Sequence, residues 1–281
     1  MNFKNTSNAT IDFSKQVPYI TFPVLSEIPF INHGFSTRLG GVSTGHMTSM
    51  NLGYGGPTLD DPANILENFK LITDSMGIDP NTIVRSWQVH KTNIRIVTKE
   101  DCGKGLYRER DYNEIDGLIT NSPGVTLVTN YADCVPLYLV DPVNKAIGLS
   151  HSGWRGTVEK MGKVTVEHMT EAFGSNPEDI ICVIGPSICE QCFEIGEEVA
   201  VEFNKAFNLM DVSNHIISPN SKGRYQCDLW AANKEVLKEA GIKEDNIHIS
   251  EVCTSCHDDL LFSHRKTNGK RGSLAAFLAI K

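Results

Sequence analysis

The chain has no apolar run long enough to span a bilayer, no block of basic residues and no low-complexity linker. The first absence excludes a helical membrane protein. The second, with a net charge of -8 at pH 7, excludes a general nucleic-acid binder, because phosphate neutralisation needs clustered Lys and Arg. The first residues, MNFKNTSNATIDFSKQ, lack the apolar core of a signal peptide, so the expected location is cytoplasmic. In that compartment a disulfide framework is not expected, and the eight cysteines read as thiols or metal ligands.

What is present suffices for a sizeable core: 281 residues, 40% of them hydrophobic and 21% charged. No internal repeat or domain boundary stands out. Residues 1–17 read as a loosely attached polar arm, and residues 18–281 as a single α/β domain. Short strands are expected at 19–22 and 30–35, then at 83–89, 94–97, 115–120 and 125–129. Asp61 and Pro62 open a helix with Ile65, Phe69, Ile72 and Met76 on one face, and Gly77 ends it. A further helix is expected from Gly153 to Gly174, then others at 195–207 and 228–240. The segment 99–114 reads as a charged loop or lid. Strands at 247–252 and 274–280 are expected to pair.

The stretch 130–156, NYADCVPLYLVDPVNKAIGLSHSGWRG, organises the chemistry. Two apolar runs flank the turn Asp141-Pro142-Val143-Asn144. An antiparallel hairpin about that turn brings Cys134, entering the first run, beside His151, leaving the second. With His90 of Trp87-Gln88-Val89-His90, these residues make two imidazoles and one thiolate. That is the ligand count of a catalytic zinc site with an open position. The same Cys134 and His151 also fit a thiol nucleophile and its base. The third partner separates the two readings: Asp, Asn or Gln orienting the histidine for a hydrolase, a second imidazole for a metal site. Asp133 is a candidate proton shuttle only if the chain turns there, since strand neighbours face opposite ways.

Two further groups carry weight. Arg38, Gly40, Gly41 and Asn51 lie in a segment rich in Gly, Ser and Thr that continues to Gly55 and Gly56, and such a loop can wrap phosphate or ribose. Arg155, at the start of a helix, and Arg265 sit in similar settings. Cys189-x-x-Cys192 and Cys253-x-x-Cys256 could hold a structural zinc. Their wide separation and differing contexts favour ordinary thiols instead.

The segments HGFSTRLGGVS (33–43), SMNLG (49–53), WQVH (87–90), ADCVPLYLVDP (132–142), AIGLSHSGWRGTV (146–158), IGPSICEQCFEIG (184–196) and CT…LFSHR (253–265) together resemble the laccase-domain proteins, also called polyphenol oxidase or peptidoglycan editing factor. The resemblance implies layered mixed β-sheets flanked by helices and a metal set of His90, Cys134 and His151. It also implies zinc-dependent purine nucleoside chemistry: phosphorolysis of adenosine, inosine, guanosine and methylthioadenosine, and deamination of adenosine. Cys134, His151 and Asp133 are then the catalytic candidates. Arg38, Gly40, Gly41, Asn51, Arg155 and Arg265 are the binding candidates, with a nucleoside and phosphate as partners. The sequence leaves the oligomeric state open. Lys91 stands where a small residue is usual, and Cys189 and Cys256 look like additions. An amidase acting on a peptidoglycan precursor, with Cys134 as nucleophile or zinc ligand, is the alternative. A multicopper oxidase needs many histidines and His-x-His pairs. Nine histidines without one such pair disfavour it, and a lone copper is the lesser alternative to zinc.

Overall fold

Along Val135–Asp141, successive side chains enter two different cores. Tyr138 and Val140 pack with Ile147 and Leu149 on one side, while Leu137 and Leu139 meet Val166, Met169 and Leu237 on the other. A strand buried on both faces belongs in the middle of a covered sheet. The computed structural model, which describes residues 3–54, 60–207 and 215–281, places it there.

Two six-stranded mixed sheets stack face to face. The first runs Thr10–Ile11, Tyr19–Thr21, Ile31–Ser36, Leu274–Ile280, Thr126–Tyr131, Ile83–Arg85. The second runs Ile247–Ile249, Ile181–Ile184, Val135–Asp141, Ala146–Ser152, Gly117–Thr120, Ile94–Ile96. Phe35, Leu127 and Leu278 of the first interlock with Tyr138, Ile147 and Leu149 of the second. Helix Pro62–Met76 covers the outer face of the first through Ile65, Phe69 and Ile72 against Val128 and Phe277. Its ends follow the sequence: the Asp61 carboxylate accepts the Ala63 N–H at 2.9 Å, and Gly77 closes it at φ 68°. Helices Met161–Phe173 and Leu229–Glu239 cover the outer face of the second. A small sheet of Glu194–Ile195, Tyr225–Cys227 and Ile217–Pro219 stands beside it.

The expected layered α/β domain is therefore present, with local departures. From residue 9 onward the polar arm is pinned down: Thr10–Ile11 pairs with Tyr19–Thr21, and Ala9, Ile11 and Val17 are buried. Its polar composition hid this because, among its described residues, few apolar side chains turn inward: these three are buried and Phe3 packs partly against the core. The strand expected over 83–89 is regular only through Arg85. The helix after Gly153 is two helices, Trp154–Val158 and Met161–Phe173, separated where Lys160 turns left-handed at φ 63°. The two last strands do not pair. Ile247–Ile249 lies parallel to Ile181–Ile184, whereas Leu274–Ile280 lies between Ile31–Ser36 and Thr126–Tyr131 in the other sheet. Among the described residues, no helix is long and apolar enough to cross a membrane.

Candidate metal centre

The hairpin forms, but its register is shifted by two residues from a symmetric one about Asp141–Asn144: Pro136, not Cys134, lies opposite His151, and Val135 lies opposite Ser152. Cys134, just outside the first strand, therefore faces the end of the second, where Gly153 stands. The chain turns immediately before it, with Asp133 at φ 89°. His90 arrives on the connection from Ile83–Arg85 of the first sheet to Ile94–Ile96 at the edge of the second. After the bridge between Trp87 and Ile115, residues 89–91 form a tight turn with His90 itself at φ 65°.

That turn is built around a residue the sequence reading passed over. Fully buried Asp116 accepts the backbone N–H groups of Val89 at 2.9 Å, His90 at 2.9 Å and Lys91 at 3.1 Å. Its Oδ1 also lies 2.8 Å from Nδ1 of His151. Burial alone would raise the Asp116 carboxyl; the His151 imidazole and the N–H donors outweigh it and hold the pKa below the ordinary value. As a carboxylate, Asp116 can only accept, so His151 Nδ1 carries the proton and Nε2 is left to face the site. The signal in the sequence was a lone acid between Ile115 and Gly117 at the start of a buried strand, which periodicity treats as an edge position.

The candidate ligand atoms of His90, Cys134 and His151 lie within 4.8 Å of one another. Cys134 Sγ is 4.0 Å from His90 Nε2, and the two imidazole rings meet edge to face at 4.9 Å. Burial opposes ionisation of Cys134, but His151 and then His90 pull its thiol down to about 6. Burial likewise opposes charge on His151, yet Cys134 and Asp116 raise it to about 9. Gly153 leaves room for this contact: a Cβ there would sit 3.0 Å from Cys134 Sγ and 3.1 Å from His90 Cδ2. His151 is buried, Cys134 half-buried and His90 exposed, so the site opens on one side. Two nitrogens and one sulfur converging with an open side fit a zinc-like ion.

The remaining candidates fall elsewhere around this centre. Both oxygens of Asp133 are occupied, by the Thr254 hydroxyl at 2.7 Å and the Arg265 N–H at 2.7 Å. Arg38 spends its guanidinium on the Thr48 and Asp258 carbonyls at 3.0 and 2.8 Å and stacks over Phe262. Gly40 adopts φ 83°, and a Cβ on Gly41 would run into the Ser49 carbonyl. Asn51 accepts the N–H groups of Gly53 and Ser273 and donates to Asp60. Gly55 and Gly56 lie outside the described residues. Arg155 is exposed and stacks on Trp154, while Arg265 donates to the Glu194 carbonyl at 2.7 Å. Arg271, unremarked in the sequence, has a buried Nε without a hydrogen-bond partner, and Asp133 and Cys134 both act on its charge.

The wide separation of the four distant cysteines along the chain is no measure of their distance in the fold. Cys189, Cys192, Cys253 and Cys256 come together with all sulfurs within 4.8 Å of one another. The reason is the parallel pairing of Ile181–Ile184 with Ile247–Ile249, continued by the bridge between Ser187 and Cys253. Both CxxC segments therefore leave the sheet at the same end.

A family profile described as multi-copper polyphenol oxidoreductase laccase matches residues 32–281. A purine nucleoside phosphorylase, YlmD of Bacillus subtilis, is 36% identical over 88% of this chain and 88% of its own length. An adenosine deaminase, RL5, from an unknown prokaryotic organism is 34% identical over 74% of this chain and 78% of its own. The crystal structure of the hypothetical protein YfiH of Bacillus licheniformis superposes with a TM-score of 0.88 at 30% identity, covering 96% of this chain and 99% of the other. With a match over most of its length and a shared fold, the chain belongs to the laccase-domain family that includes these purine nucleoside phosphorylases.

Proposed function

We propose that this protein is a zinc-dependent purine nucleoside enzyme that cleaves nucleosides with phosphate and deaminates adenosine. The observation that carries the reading is the convergence of His90, Cys134 and His151 with one side open. The names of the relatives support the substrate class. When bound, zinc supplies a Lewis acid toward the purine or the attacking group. Asp116 fixes the tautomer and direction of His151, and its grip on residues 89–91 aims His90. In phosphorolysis, phosphate attacks C1′ as the glycosidic bond breaks, and the purine departs with the bonding pair. Arg155, exposed on Trp154, and Arg271, whose Nη1 donates to the Gly272 carbonyl and Ser273 hydroxyl but whose buried Nε has no partner, are the better anion partners. Arg38, Gly40, Gly41 and Asn51 shape the loop that receives the ribose.

The decisive experiment measures metal content and adenosine turnover, with and without phosphate, in wild type and Cys134→Ala. Loss of about one zinc equivalent together with turnover is expected. Metal-free protein that stays active would overturn the reading. Phosphate-dependent release of free base identifies phosphorolysis, and ammonia without phosphate identifies deamination. A second reading draws on one observation: Cys134, His151 and Asp116 also form a nucleophile, base and orienting acid. An amidase on a peptidoglycan precursor would use them so. Release of an amino acid by metal-free enzyme, abolished by thiol alkylation, would favour it.

A further inference from the structure

We infer that Cys189, Cys192, Cys253 and Cys256 form a second metal site, a four-thiolate zinc centre that ties two loops to the base of the first site. Tetrahedral sulfurs each about 2.3 Å from a zinc ion lie about 3.8 Å apart. Sγ of Cys256 lies 3.5 Å from that of Cys192 and 3.9 Å from that of Cys189, and no sulfur of the four is beyond 4.8 Å of another. The spacing is already that of a coordination shell.

The surroundings fit thiolates. Sγ of Cys253 receives the backbone N–H groups of Cys189 at 3.3 Å and Cys256 at 3.4 Å, one from each CxxC segment. Such donors stabilise a metal-bound sulfur and fix its direction. Cys189 and Cys253 are buried, Cys192 is half-buried and Cys256 is exposed, so an ion reaches the cluster from solvent. Two competing accounts fit less well. Ordinary thiols in an apolar core have no reason to converge four at a time. A disulfide engages one pair at about 2.05 Å and leaves two sulfurs without purpose.

The consequence is positional. Thr254, inside the second CxxC segment, donates to the Asp133 carboxylate at 2.7 Å. Ile188, next to Cys189, donates its N–H to the Asp133 carbonyl at 3.0 Å. Each loop thus holds the residue preceding Cys134, and an ion joining the loops fixes that corner. Arg265 belongs to the same corner, donating its N–H to Asp133 and its guanidinium to the Glu194 carbonyl.

The test is elemental analysis of protein purified with zinc, comparing wild type, Cys134→Ala and the double variant Cys192→Ser, Cys256→Ser. About two zinc equivalents are expected in wild type and about one in each variant. Because Cys134→Ala empties only the first site, the zinc it retains reports the second, whatever the protein's reaction. Cobalt(II)-loaded Cys134→Ala gives a second readout that does not depend on the cysteine variants folding: a tetrahedral, thiolate-rich visible spectrum. Retention of all zinc by the double variant would overturn the inference. So would a metal-free cluster with two thiols missing by titration, which means a disulfide, or iron in place of zinc.

Discussion

Asp116 links the two histidines of the metal centre: its Oδ1 lies 2.8 Å from Nδ1 of His151 and accepts the backbone N–H of His90 at 2.9 Å. One buried carboxylate thus sets the direction of a side chain on one strand and of a whole turn from elsewhere. Changing Asp116→Asn replaces one acceptor oxygen with a donor that faces N–H groups. Zinc affinity, measured by competition with a chromophoric chelator, is expected to fall about 10- to 100-fold. Unchanged affinity would show that neither histidine needs this carboxylate.

Gly153 has an ordinary φ of -71°, so its importance lies in space rather than backbone freedom. Gly153→Ala puts a methyl group 3.0 Å from Cys134 Sγ and 3.1 Å from His90 Cδ2. The variant is expected to fold, with a circular dichroism spectrum like wild type, and to bind less metal at the three-ligand site. Full metal binding would show that the cradle yields.

Asn68 knits the glycine-rich loop from beneath. It accepts the Val42 N–H at 2.8 Å and donates to the Ser43 hydroxyl and the Asn51 carbonyl, each at 2.8 Å. Asn68→Leu strips the buried Asn51 carbonyl and the Val42 N–H of this partner, while the Ser43 hydroxyl keeps Asp60, at a cost of about 1–3 kcal/mol in unfolding free energy by urea titration. A loss below about 1 kcal/mol would mean that water replaces the amide.

His33 is buried, and its Nε2 accepts the Phe22 N–H at 2.9 Å. Burial pushes its pKa down to about 4, so the folded state holds it neutral. Below the ordinary value of 6.5, only the unfolded chain gains the proton. The stabilising contribution is therefore complete above pH 6.5 and is lost as pH falls to about 4, amounting to roughly 3 kcal/mol over that window. Urea titrations at pH 7 and pH 4.5 should show a steeper acid loss for wild type than for His33→Gln. Parallel losses would remove His33 from the account.

The parts legible in the sequence are those fixed by local pattern. The hairpin carrying Cys134 and His151 needed only two apolar runs and a turn, and helix Pro62–Met76 announced both of its caps. The parts that escaped depend on distant partners. Asp116 is identifiable only once residues 89–91 curl around it. The convergence of the four cysteines depends on a parallel pairing across some sixty residues, for which periodicity carries no signal. Arg38 and Arg265 looked like free cations because a chain of letters does not show which carbonyls will lie within reach.

The place of Leu274–Ile280 also sets an order of events during synthesis. Every strand of the second sheet has been made by Ile249, whereas the first has a gap at its centre until residues 274–280 emerge. At roughly 5–20 residues per second, the ribosome leaves that gap open for seconds. Until it closes, Tyr138, Ile147 and Leu149 lack the Leu274, Ala276 and Leu278 part of their opposing layer, and the nascent chain exposes apolar surface there that chaperones can bind.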